Sequence, residues 1–195
     1  MAFACIRSAE AARCDLVAGG DEMKLCAVIR VTSTIILIAG VATLAEAETN
    51  LITQAGAWQA FGGTTTGGRP VCGVSQSSND HYFGLKYYAR DPTFTIQVGA
   101  KTWRLENGAK QKLQMIMDER PPWNVTAAGM HFNDGDAGLE FSINRAEIDQ
   151  FAAEFRGSSQ LRLRFTDLDA AEWSLSLAGS NAVTDAFLQC ITGIR

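Results

Sequence analysis

Residues 23–47 have the three parts of an export signal, and that one feature decides how much chain is left to fold. Met23-Lys24-Leu25-Cys26-Ala27-Val28-Ile29-Arg30 supplies a basic start, residues 31–44 are an uncharged, mostly apolar run, and Ala45-Glu46-Ala47 places small residues at the −3 and −1 positions that signal peptidase requires. Cleavage after Ala47 is expected. The uncharged run is fourteen residues long, short of the roughly twenty that a spanning helix needs. Residues 1–22 precede Met23, the natural initiator, and read as an over-extended reading frame. The part expected to fold is residues 48–195, a single domain of 148 residues. A chain of that size can bury roughly two thirds of its unfolded surface in one core.

Of the five cysteines, Cys5, Cys14 and Cys26 leave with the leader, so Cys72 and Cys190 remain. An even pair in an exported chain reads first as a disulfide. Closing most of the mature chain into one loop contributes about 4–5 kcal/mol in the chain-entropy model. Two distant cysteines with only His81 and His131 lack the paired ligand spacing of a zinc site. The mature chain also has no Cys-x-x-Cys for redox chemistry. No metal or other cofactor is expected.

The mature part carries 13 Lys plus Arg against 16 Asp plus Glu, and the whole chain has a net charge of −4. That balance lacks the broad basic surface of a non-specific nucleic-acid binder, so nucleic acid is not an expected partner. With 47% hydrophobic and 19% charged residues, the composition is that of a globular chain.

Apolar residues alternate with polar ones along most of the mature chain, the period of half-buried strands. Strands are predicted at 56–61, 71–75, 82–89, 94–98, 102–105, 113–117 and 123–127. A hairpin follows in which 129–132 turns through Asn133-Asp134-Gly135-Asp136 into Leu139, Phe141 and Ile143, because Asp-Gly supplies the positive φ of a tight turn. Ile148, Phe151, Ala152 and Phe155 then share one helical face, opened by Asn144 with Glu147 as a capping pair and ended by Gly157. Strands around Leu161/Leu163/Phe165 and Trp173/Leu175/Leu177 precede a last helix opening near Ser180, with Val183, Phe187 and Cys190 on one side. The expected fold is mainly β: an antiparallel sandwich or part-closed barrel of about nine short strands, with two helices in the C-terminal third.

Catalytic motifs fail one by one. The loop Gly62-Gly63-Thr64-Thr65-Thr66-Gly67-Gly68 is followed by Arg69-Pro70 instead of the Lys and Ser or Thr of a phosphate loop. Gly73-Val74-Ser75-Gln76-Ser77 misses the last glycine of a nucleophile elbow. Asp118 and Glu119 are adjacent and point to opposite faces of extended chain. Asp134 and Asp136 lack the calcium-loop spacing and read as a solvated turn, as do Asp167 and Asp169. Two features invite a binding role. Arg162 and Arg164 point to one outer face of their strand, where they could meet an acidic partner or a phosphorylated glycolipid, and Trp123 follows the stiff Pro121-Pro122 turn.

The leader, Trp58, Cys72, Pro121-Pro122-Trp123 and the stretch Trp173-Ser174-Leu175-Ser176-Leu177-Ala178-Gly179-Ser180 through Phe187 to Cys190 together resemble small exported proteobacterial proteins of the invasion-associated locus B family and its relatives. The resemblance covers most of residues 56–192, with fewer cysteines than is typical of the family. It implies a β-rich domain, periplasmic or secreted from a Gram-negative bacterium, linked to envelope integrity or host interaction, and it implies no reaction. The function expected is a non-enzymatic binding or envelope-associated protein with another envelope or secreted protein as partner. The alternatives are an inhibitor or immunity-type protein against an envelope hydrolase, and a hydrolase with dispersed Ser, His and Asp residues.

Overall fold

A computed structural model describes residues 47–78, 80–166 and 172–194. The expected reading-frame extension, the leader and its Ala45, together with Asp167 and Asp169, lie outside the described residues; Ala47 is exposed at their start.

Ten strands form one sheet: β1 Glu48–Ala55, β2 Trp58–Thr64, β3 Pro70–Ser77, β4 His81–Tyr88, β5 Thr93–Ala100, β6 Lys110–Met117, β7 Trp123–His131, β8 Ala137–Asn144, β9 Gln160–Phe165 and β10 Trp173–Ser176. Two helices, α1 Ile148–Gly157 and α2 Ser180–Gly193, fall in the C-terminal quarter. The sheet order is β1-β2-β3-β4-β5-β8-β7-β6-β9-β10, and every pairing is antiparallel. The ladder does not close, since β1 and β10 remain its edges. The twisted sheet nevertheless curls far enough for the Trp58 indole on β2 to donate to the Ser176 carbonyl on β10 at 2.9 Å. Of the two forms expected, a sandwich or a part-closed barrel of about nine strands, the structure shows the mainly β, part-closed form, with ten strands in one sheet.

The alternation read from the sequence is the reason the core lies inside the curl. Phe83, Leu85 and Tyr87 of β4, Phe94, Ile96 and Val98 of β5, and Leu161, Leu163 and Phe165 of β9 are all buried. Each strand sends every second side chain inward. Helix α1 adds Phe151 and Phe155, and α2 adds Val183, Phe187 and Ile191. Phe155 meets Trp58 edge-on at 5.0 Å, and Phe187 meets Phe94 at 6.1 Å. Burying such an aromatic side chain is worth about 2–3 kcal/mol, so these contacts seat both helices firmly.

Several boundaries differ from those expected, each for a physical reason. Strand β1 is absent from the sequence reading, because Glu48-Thr49-Asn50-Leu51-Ile52-Thr53 is an edge strand with no buried residue and a register shift between Leu51 and Thr53. An edge strand need not alternate. Gly56 is in the β1–β2 turn at φ +60° and starts no strand. The strand predicted at 102–105 does not form: this stretch is an irregular connection that drops Trp103 into the core. The pieces at 123–127 and 129–132 are one continuous strand, β7. Asn144 does cap a helical turn, accepting from the Ala146 N–H at 2.9 Å, but that turn is a short 3-10 segment, Arg145–Glu147, and Glu147 makes no side-chain cap.

Cys72 on β3 and Cys190 on α2 form a disulfide across 118 positions of sequence, with Cα atoms 5.9 Å apart. The structure joins the expected pair.

Candidate functional site

The strand directions give the sheet two unlike ends. At one end the connections after β8 and β10 are the helices. At the other are the turn between β3 and β4, the long 101–109 connection, the β7–β8 hairpin, the end of β9 and the start of β10. Three cavities open at this second end and share walls. The first, of about 460 Å³, is bounded by Asp80, His81, Tyr82, Lys101, Phe132 and Asp136 among others. The second, about 550 Å³, shares Lys101, Asp134 and Asp136 with it and extends to Arg104, Glu106 and His131. The third, about 510 Å³, shares Ser78 and His81 with the first and Trp103 with the second, and reaches Glu172 and Trp173. Together they form a groove that bends around the 101–109 connection.

The second and third cavities reach an aromatic plug at Trp103. Trp103, Phe165 and Trp173 pack edge-on or tilted against one another with centroids 5.1–5.5 Å apart, and the His81 ring lies 4.5 Å from that of Trp173. These rings close the bottom of the barrel as the helices close its top; Trp103 and Trp173 are each only 8% exposed. On the outer face of the sheet at this end, Phe132 lies across Gly99 and Gly138, where any Cβ would collide with its ring, and meets Tyr82 edge-on at 5.2 Å. Burial, helped by Tyr88, pushes the Tyr82 hydroxyl up to about 12.

The loops at this end are held by their own backbones. The Trp103 N–H donates to the Ala100 carbonyl at 3.0 Å and the Lys101 N–H to the Asp80 carbonyl at 3.2 Å. The Gly108 N–H donates to the Gly129 carbonyl and the Gly129 N–H to the Ala109 carbonyl, each at 2.8 Å, which pins the 101–109 connection to β7, and a side chain at Gly129 would strike the Glu106 carbonyl. The Arg104 guanidinium turns back onto the carbonyls of Lys101 (3.0 Å) and Trp103 (2.7 Å). The Ser78 hydroxyl accepts from the His81 N–H at 3.1 Å and donates to the His81 carbonyl at 3.3 Å. That geometry builds a turn; it does not activate a nucleophile, which would need the hydroxyl on an imidazole nitrogen. Among the described residues, no group of three or more His, Cys, Asp or Glu side chains is placed to hold a metal ion.

The three residues singled out from sequence do not share one surface. Register pairs Trp123 with Met115 and Met115 with Leu163, the core-facing row, whereas Arg162 and Arg164 pair with Ile116 and Gln114 on the opposite face. Trp123 is packed under α1, 5.7 Å from the Phe151 ring, and its indole donates to Glu154 Oε2 at 2.7 Å; Gln150 donates to the other oxygen of this buried carboxylate. Arg164 donates to Glu172 at 2.9 Å, and Arg162 lies 3.9 Å from the same carboxylate while donating to the Asp118 carbonyl at 3.0 Å. Both histidines of the chain, by contrast, belong to the groove. Nothing local marks His81, Trp103 and His131 as parts of one groove, since they come from the start of β4, the 101–109 connection and the end of β7.

A second polar arrangement lies on the outer face, where Lys86 donates to Gln97 (2.8 Å) and Gln97 to Glu140 (2.7 Å). Burial lowers the Lys86 ammonium, opposed by the Glu140 charge. Gln97 is 7% exposed and satisfied at both ends, so this chain stitches β4, β5 and β8 together.

No protein-family model and no curated protein sequence matches this chain. In fold it is similar to the crystal structure of invasion associated protein B from Bartonella henselae, at 13% identity and a TM-score of 0.47, over 70% of this chain and 95% of that one. This likeness is one of fold alone. No helix among the described residues is long and apolar enough to cross a membrane.

Proposed function

We propose that this protein is an exported, non-catalytic binding protein of the periplasm or extracellular space, and that it docks its partner at the loop end. The observation that carries the reading is the meeting of three cavities at one end of the sheet, the first walled by Tyr82 and Phe132 and the other two by Trp103. Binding sites combine a preformed apolar base with a few polar groups at the rim, and this end has both. Two further observations support export. The Cys72–Cys190 disulfide suits an oxidising compartment. Strand β1 starts at Glu48, the residue after the expected cleavage point, so removal of the leader would leave the sheet whole.

The test is position-resolved crosslinking in cells carrying the tagged protein. A photoreactive residue at Asp134 or Arg104 should give one discrete adduct, and the same probe at Ala153, exposed on α1, should give none. Adducts from Ala153 alone, or from no position, would overturn the reading. A stoichiometric, tight complex with an envelope hydrolase would select the inhibitor alternative. Amino-terminal sequencing of the exported protein should begin at Glu48.

A further inference from the structure

The geometry points to a cationic occupant: the groove receives a Lys- or Arg-bearing extended segment of a partner protein. This inference rests on the loop end being the docking surface and adds the partner's chemistry. The rim carries four carboxylates, Asp80, Glu106, Asp134 and Asp136, against two cations, Lys101 and Arg104. The carboxylates are poorly occupied. Asp80, Glu106 and Asp136 make no side-chain hydrogen bond or ion pair with described residues, and Asp134 accepts only the Asp136 N–H at 3.1 Å. One of the two cations is already directed inward, since Arg104 donates to carbonyls of its own loop. Glu172, at the far margin, is paired with Arg162 and Arg164, so that side of the groove is net cationic and the acidic field is confined to the first two cavities.

The remaining field is therefore negative, and aromatic rings lie within it: Tyr82 and Phe132 beside Asp80, Asp134 and Asp136, and Trp103 beside Glu106. Aliphatic stems of lysine or arginine pack on such rings while their charged ends reach a carboxylate rim. An anionic segment would meet two cations and four like charges, an arrangement that costs affinity and slows encounter. Extended chain suits a groove that bends past three successive loops.

The experiment uses the mature, oxidised protein labelled with ¹⁵N and three nonapeptides of one length, alternating glycine with lysine, glutamate or serine. The lysine peptide should shift amides in 78–82, 101–106 and 131–137, with an affinity that falls steeply with added salt. The triple variant D80N/D134N/D136N should weaken it about tenfold, roughly twofold per exposed carboxylate. Lys101→Glu should strengthen it about two- to threefold, a gain that a misfolded variant cannot produce. Equal or tighter binding of the glutamate peptide in the groove would overturn the cationic assignment and leave the docking surface standing. The same holds if the serine peptide binds there equally well. Shifts confined to another face, or no binding of any peptide at millimolar concentration, would overturn the assignment, and only the crosslinking result would then decide whether the loop end docks anything.

Discussion

The two ends of this sheet are closed by different means. At the helix end, Phe151, Phe155, Val183 and Phe187 fill the barrel and a disulfide ties α2 to β3. Polar groups there are consumed internally: Glu154 takes both Trp123 and Gln150, and Arg145 donates to the buried Tyr87 hydroxyl at 2.7 Å. At the loop end, the Trp103–Phe165–Trp173 cluster seals the core with three rings, and the loops above it keep unpaired carboxylates. The helix end spends its side chains on holding the fold. The loop end needs only a thin aromatic seal, which leaves its rim free for a partner.

This contrast predicts unequal responses to damage. The largest should come from the helix end. Replacing Cys72 and Cys190 together by alanine should cost about 5 kcal/mol in the chain-entropy model, read as a drop in the denaturant midpoint; a loss below about 1 kcal/mol would show that α2 is held by packing alone. Phe187→Ala should follow, costing about 4 kcal/mol because the side chain is fully buried against Phe94. Trp103→Ala at the loop end should cost about 3 kcal/mol. Its effect should be local, with hydrogen exchange quickening in 101–109 and hardly in α2. If both ends lost protection equally, they would be one cooperative unit.

Alkaline titration probes the border of the groove. The Tyr82 hydroxyl is held neutral up to about 12 in the folded protein and titrates near 10 when unfolded. The unfolded chain therefore releases this proton first, and the contribution of Tyr82 is complete below pH 10 and lost as pH rises towards 12. Stability measured between pH 9 and 12 should fall less in Tyr82→Phe than in the native protein; equal slopes would place the hydroxyl in water. The smallest effect should come from Asp185→Asn. Its ion pair with Arg156 at 2.8 Å joins two exposed side chains at the helix end and should be worth at most about 0.5 kcal/mol.

Much of the local structure was legible in residue order. The Asp134-Gly135 hairpin forms as read, with Gly135 at φ +89°, and the Ile148/Phe151/Ala152/Phe155 face is the one α1 turns inward. Strand β9 shows its inward Leu161, Leu163 and Phe165 as plainly as any. The failures share a cause. Edge strand β1 carries no buried side chain and so no alternation. Trp103 sits where an aromatic looks like a strand residue, yet it leaves the sheet to plug its end. Trp123 and Arg162 look like companions in sequence until register puts them on opposite faces.

By itself, the sequence determined the β periodicity, the two late helices and, through the pair of cysteines that follows the expected leader, the crosslink. These are consequences of side-chain pattern and chemistry that act within a few residues or by elimination. Only the tertiary structure decided that β5 pairs with β8 and that β6 bridges β7 and β9, and with that the meeting of His81, Trp103 and His131 around one groove. Strand order and register depend on how distant faces pack around a shared core, and no local period encodes which loops will end up side by side.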